Sequence, residues 1–397
     1  MESTRYAAMR DGHDSGSGGL RRVRGEMMER SIGRRVGLTS RHERRMVVGS
    51  VGRRQARVMR APTPRDGVYE LYWKFAAERQ HVFEARVAGA PGPWTQDRIL
   101  QEYKFCNVYR AADRVSQYLI RDVAYRDDDS SPADRLFQIV AFRNFSNVGT
   151  WETVVEILGR SPRIADLETG VFEAALTEAK DRNGGLYTGA FILCATDAYG
   201  RKTKHLNHVE LFRDMFVRSC LAERILEAES LEEVYDLLHT FPLMGDFMSY
   251  QMAIDLNYSE HVNFSENDFT KPGPGALRGI KKVFSDLGGL TPQEVIMWMV
   301  DNQEAEFARL ELEFSGLWGR PIQAIDAQNL FCETDKYCRE AVPELASARS
   351  RIKSRYVSTP EPMTLFFPPK WGINGHLPQN EVLGDEFTRA RVLEPMF

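Results

Sequence analysis

Helix start and stop signals recur at short intervals along this chain, and almost nothing alternates at the period of a strand. The clearest start is Thr291-Pro292-Gln293-Glu294. It has a threonine N-cap, proline at the first helical position and glutamate at the third, closing a capping box. A helix to about Phe314 is expected there. Ser230 and Glu233 repeat the capping spacing, and Leu231, Val234, Leu237 and Leu238 follow at helical period. Val68 to Arg86 places apolar and aromatic residues on one side and charges on the other. Further helices are expected within 95–124, over Ala133 to Phe145, Thr150 to Leu158 and Asp166 to Asp181, and through 186–196, 205–227, 231–240 and 324–340. The tail from Pro360 is proline-rich and irregular. These signals predict an all-α architecture without internal repeats.

At 397 residues, with 43% hydrophobic and 27% charged side chains, the composition is that of a globular protein of one large domain or two ordinary ones. No run approaches the ~18 apolar residues of a membrane span, and the N-terminus has no apolar signal region. The cysteines (Cys106, Cys194, Cys220, Cys332 and Cys338) are scattered and form no CxxC pair. A reduced, cytoplasmic protein without metal or cofactor is expected. Charge is divided unevenly. Residues 1–60 hold 15 arginines and 6 acidic residues, a net of +9, against −13 for the remainder. Residues 1–64 therefore read as an arginine-rich, disordered extension able to hold nucleic acid non-specifically, and 65–397 as the helical body.

Residues 238–251, LHTFPLMGDFMSYQ, join two of the expected helices through a short turn. Phe241-Pro242 ends the first helix, because proline cannot donate the next hydrogen bond. Gly245 is read as the residue that makes the reversal, and a second helix runs from Met248 to Leu256 within a hairpin unit of 231–256. This arrangement resembles the helix-hairpin-helix of DNA glycosylases, whose pattern is apolar-Pro-Gly-apolar-Gly. Here it stands as Phe241-Pro242-Leu243-Met244-Gly245, with Leu243 in place of the first glycine. The resemblance implies that Gly245, Phe247 and Met248 meet a DNA phosphate through unpaired backbone N–H groups. Bifunctional members carry a lysine where this chain has Phe247, so no lyase step is expected. Phe137 to Leu158 has the shape of the family's groove-probing loop, which assigns Arg143, Asn144, Phe145 and Asn147 to DNA contact, with Phe145 equally readable as core. The family's catalytic aspartate follows the second hairpin glycine by about twenty residues. Asp268 lies 23 past Gly245, whereas Asp255 lies only ten past it.

Four further blocks extend the resemblance. LQEYKFCNVYRAADRVSQYLI, RLFQIVAFRNFSNVGTWE, LYTGAF and DAQNLFCETDKYCRE stand in this order. They resemble the helical domain found beside phage 5-hydroxymethyluracil DNA kinases, and the α-glutamyl/putrescinyl thymine pyrophosphorylases. That branch of the glycosylase-like helical fold is tied to hypermodified DNA bases, and some bacterial members are antiphage glycosylases acting on glucosylated hydroxymethylcytosine. The resemblance implies a two-lobed helix-hairpin-helix glycosylase-like fold. It also implies a monofunctional DNA N-glycosylase, a hydrolase that flips a bulky modified pyrimidine out of double-stranded phage-type DNA and leaves an abasic site, in antiviral defence. The alternative is a base-hypermodification transferase acting on activated 5-hydroxymethyluracil, and a non-enzymatic reader of modified DNA is a further one. A phosphotransferase would need a loop such as GxxxxGK[ST]. Gly200-Arg-Lys-Thr203 lacks that spacing.

Excision would need a carboxylate to steady an oxocarbenium-like sugar. Asp268 is the first candidate and Asp326 the second, with a turn or cap role as the plainer reading of Asp268. Tyr187, near Gly189, is a candidate for the base pocket. Asp326, Asn329, Glu333, Lys336 and Tyr337 share one helical face. That face either holds a base or sugar, or forms a buried ion network whose plausible partners are Arg110, Asp113 and Arg114.

Overall fold

The computed structural model describes residues 60–188, 198–345, 351–352, 354–357 and 364–378. They are mostly helical, as expected of an all-α chain: α1 (Val68–Val87), α2 (Arg98–Glu102), α3 (Arg114–Tyr118), α4 (Pro132–Phe145), α5 (Val148–Leu158), α6 (Ile164–Thr169), α7 (Val171–Asn183), α8 (Lys204–Phe212), α9 (Leu221–Leu226), α10 (Leu231–His239), α11 (Asp246–Asn257), α12 (Pro274–Val283), α13 (Pro292–Arg309) and α14 (Ala324–Ala341). The helix expected over 186–196 falls largely outside the described residues, as does most of the arginine-rich extension. No helix among the described residues is long and apolar enough to cross a membrane.

Caps legible in the sequence form as read. Thr291 and Glu294 close their box at the start of α13. The Ser230 hydroxyl accepts from the Glu233 N–H at 3.1 Å to start α10. Longer spans break where the backbone leaves the helical region. Gly170, at φ 79°, separates α6 from α7, so the single helix expected over Asp166 to Asp181 is two. Cys220, at φ 48°, starts α9 after a π-helical segment Arg213–Arg218. Residues 95–124 are less helical than expected. They hold α2, a 3-10 turn Arg110–Ala112, α3 and a π-helical segment Leu119–Ala124. Side chains take backbone N–H groups that a helix would have used: Cys106 donates to Glu333, Asn107 to Asp113 and Arg110 to Asp326, each at 2.9 Å.

A two-stranded antiparallel pair, β1 (Thr63–Pro64) with β2 (Phe284–Asp286), was not legible as alternation because it is so short. It attaches residues 60–64, which the sequence reading placed in the extension, to the chain after α12. The Arg60 N–H bonds the Gly288 carbonyl at 2.9 Å.

Two sets of helices carry the core. In one, α1, α12 and α13 pack around α14, with Tyr72 on Phe331 and Trp73 on Phe307. Gly275 and Gly279 let α12 approach α14 closely; a Cβ on Gly279 would overlap the Phe331 carbonyl. In the other, α4 lies among α5, α6, α9 and α11, and Phe137 meets Phe172, Phe212 and Phe216. Lys370, from segment 364–378, caps the end of α11 through the Asn257, Ser259 and Val262 carbonyls at 2.5, 3.0 and 2.7 Å.

Candidate DNA-handling site

The helical hairpin is α10, a turn at 240–245 and α11. Leu243, not Gly245, makes the reversal. Leu243 stands at φ 70°, whereas Gly245 has φ −78° and ψ 171°, a backbone open to any residue. A Cβ on Gly245 would meet no heavy atom within 4 Å. Leu243 occupies the position of the family pattern's first glycine and adopts the left-handed conformation a glycine favours, at a cost of roughly 1–2 kcal/mol. Local bonds hold the turn: Met244 N–H to the Phe241 carbonyl at 3.2 Å, and the Ser249 hydroxyl to the Met244 carbonyl at 3.2 Å. Met248 is buried and the Phe247 ring lies over Gly273. Those side chains anchor the hairpin, so contact to DNA at these positions would run through the backbone. Asp246 sits in the first turn of α11, near Tyr235, His239 and Lys271. Its carboxylate favours the helix N-terminus and competes there with a phosphate.

The loop 263–273 continues this surface. Phe269 packs on Tyr235 and Tyr250, and Lys271 reaches Asp246 at 3.8 Å and the Tyr235 ring at 5.4 Å. Asp268 is exposed on the lip of a cleft of about 580 Å³ between this loop and α13, where Thr270, Lys271, Met297 and Trp298 also line the wall. The structure thus brings Asp268 beside Gly245, Phe247 and Met248. Glu232, Glu294 and Asp301 border the same cleft, so carboxylates outnumber the cation.

The α4–α5 corner does not present the side chains expected to touch DNA. Arg143 is buried, with Nε and Nη2 on the Asp255 carboxylate at 2.5 and 3.0 Å. A groove-facing role for it is corrected, because the ion pair holds the guanidinium inside. The Asn147 side chain accepts from the Thr150 N–H at 3.4 Å and so caps α5. Phe145 is core, packed on Tyr187 and Phe212. Asn144 is 1% exposed, and neither atom of its amide has a hydrogen-bond partner. Tyr187 bonds through its hydroxyl to Nδ1 of His208 at 2.8 Å, with the Lys204 ammonium 4.1 Å from its ring centre. Burial, then the charge of Lys204, depress His208 to about 3, so its imidazole is neutral.

The α14 face is spent on packing. Asp326 accepts backbone N–H groups from Arg110 at 2.9 Å and Gln323 at 3.2 Å. Burial and the nearby Glu266 push its carboxyl up to about 7. Asn329 donates to the Asn107 carbonyl at 3.3 Å, and Glu333 accepts from Cys106 N–H and Lys336. Tyr337 donates to Asp97 at 2.5 Å. This is the buried-network alternative: α14 holds the segment 95–113. A base pocket on this face is corrected, because those groups already have protein partners.

Asp255 was passed over by the sequence reading as a catalytic aspartate. It is fully buried and bridges Arg110 at 2.7 Å and Arg143 at 2.5 Å. Burial alone would raise its carboxyl; the two guanidiniums outweigh that and hold it below the usual carboxylate range. His208 was also missed. Its partner Tyr187 lies 21 residues earlier, a separation that carries no periodic signal.

A family model described as 5-hmdU DNA kinase, helical domain, matches residues 66–347. A 5-hmdU DNA kinase of Bacillus phage SP10 is 26% identical over 298 residues, which cover 71% of this chain and 46% of that protein. The chain spans about half the length of this curated relative. No solved structure matches. These findings overturn the expected N-glycosylase and its hydrolase chemistry, since the relative is named for a transfer reaction on DNA and not for base excision.

Proposed function

Because the chain belongs to the family of 5-hmdU DNA kinase helical domains, we propose that it is a base-modifying transferase acting on activated 5-hydroxymethyluracil in phage-type DNA. The family match carries this reading: it runs from α1 through α14, and no GxxxxGK[ST] phosphate loop occurs in the 397 residues. In the proposed reaction the base arrives with its 5-methylene oxygen phosphorylated. The C–O bond breaks, phosphate leaves with the electron pair, and an incoming nucleophile forms the new bond to the methylene carbon and gives up its proton. Asp268, exposed at the cleft beside the hairpin, is the carboxylate we assign to accept that proton. The α11 N-terminus is assigned to the DNA backbone.

The test uses three otherwise identical duplexes bearing thymine, 5-hydroxymethyluracil or its phosphorylated form, with amine nucleophiles present. Nucleosides are then measured by mass spectrometry. Loss of phosphate and gain of the nucleophile, confined to the phosphorylated base, is expected. Abasic strands, or no conversion of any base, would reject the proposal. Phosphoryl transfer by this chain is a second reading, favoured by the relative's name. It is reported by adding ATP to the 5-hydroxymethyluracil duplex.

The hairpin assignment has its own test. A side chain at Gly245 meets open space, so Gly245→Trp should fold normally while covering the amide end of α11. DNA affinity should fall, and by a similar factor for modified and unmodified duplexes, because phosphate contacts carry no sequence information. Unchanged affinity in a folded variant would count against the hairpin as a DNA contact.

A further inference from the structure

Asn144 is the most anomalous polar residue of the α4–α5 corner. Its side-chain oxygen and nitrogen are both buried without a partner. An unsatisfied buried amide costs stability, on the order of 1–3 kcal/mol per group, and native proteins keep few of them. Phe145, the next residue, packs on Tyr187, whose hydroxyl holds Nδ1 of His208. The other ring nitrogen of His208, Nε2, is also buried and unpartnered. A continuous chain of contacts therefore joins two orphaned polar groups.

We propose that Asn144 and His208 are specificity-determining groups that read the hydrogen-bonding edge of a uracil-type base. This rests on the proposed action on 5-hydroxymethyluracil. That edge presents carbonyl, N–H and carbonyl in order, and calls for a donor, an acceptor and a donor. His208 is neutral. When its Nδ1 accepts the Tyr187 hydroxyl proton, Nε2 carries hydrogen and donates. The Asn144 amide supplies the acceptor and the second donor. A cytosine edge, whose order is donor, acceptor, acceptor, is mismatched to this arrangement. Both groups are covered in the free protein, so a base displaces apolar cover and gives them the partners they lack.

The experiment measures affinity and melting temperature on the full chain, using duplexes with 5-hydroxymethyluracil, 5-hydroxymethylcytosine or an abasic site at one position. Wild type should prefer the hydroxymethyluracil duplex by roughly tenfold or more, the scale of one good bidentate contact. Asn144→Leu should abolish that preference while leaving the melting temperature equal or higher, since an isosteric apolar side chain removes the orphaned amide. His208→Leu should lose the preference and His208→Gln restore part of it. Retained preference in Asn144→Leu, or a lowered melting temperature showing that the amide has a partner in solution, would overturn the inference. A wild type without preference would instead overturn the proposed substrate on which it rests.

Discussion

Gly279→Val is expected to leave little folded protein. Gly279 faces α14 across the closest helix contact in the structure, and a Cβ there would overlap the carbonyl oxygen, carbonyl carbon and Cα of Phe331. These are backbone atoms, so no side-chain rotation relieves the clash and α12 must move away from α14. Overpacking a core commonly costs about 1–3 kcal/mol, and a clash with a helix backbone belongs above that range. Domains are stable by only about 5–15 kcal/mol. The urea midpoint of Gly279→Val should therefore drop steeply, with Gly279→Ala intermediate. Gly245→Ala provides the contrast, because its Cβ meets nothing and its midpoint should hardly change. A Gly279→Val midpoint close to wild type would show that the α12–α14 contact is looser than described.

Asp255→Ala should be comparably severe. The substitution leaves Arg110 and Arg143 buried beside each other without the carboxylate they share. Breaking a buried ion pair by removing one partner typically costs about 3–5 kcal/mol, because a charge stays uncompensated. Asp255→Asn should be milder and should also alter the pH dependence. The folded-state pKa of Asp255 lies below its unfolded value of about 3.9. Its contribution is therefore present above that value and is lost as pH falls through the folded pKa. Asp326 works in the opposite sense. Its carboxyl is raised to about 7, so the folded state binds the proton more tightly and stability declines as pH rises from about 3.9 towards 7. Urea midpoints across this range should show the acid-side loss shrink in Asp255→Asn while the decline towards neutrality remains. An unchanged acid limb would remove Asp255 from the account.

The candidate site was partly legible. The hairpin was visible because proline, glycine and the Ser230 cap act within a few residues of one another. The loop carrying Asp268 lies beside it, since the chain has little slack between α11 and α12. The face from Asp326 to Tyr337 was correctly grouped by helical period, but period cannot say whether a polar face meets a ligand or another segment. Its partners Asp97, Cys106, Asn107 and Arg110 lie more than two hundred residues away. The excision chemistry was inferred from the hairpin, whose backbone amides suit any DNA phosphate and do not specify what is done to the base.

By itself, then, the sequence determined the helical class, the caps of α10 and α13, and the position of the hairpin. These depend on hydrogen bonds and side-chain periods spanning about three to seven residues. The tertiary structure alone decided that Leu243 takes the left-handed turn, that Gly279 touches a neighbouring backbone, and that Asp255 binds Arg110 and Arg143 across 145 and 112 residues. It also decided that Asn144 is buried without a partner. Each depends on which surfaces meet when distant helices pack, and burial sets the electrostatics of a charged or polar group far more than its sequence neighbours do.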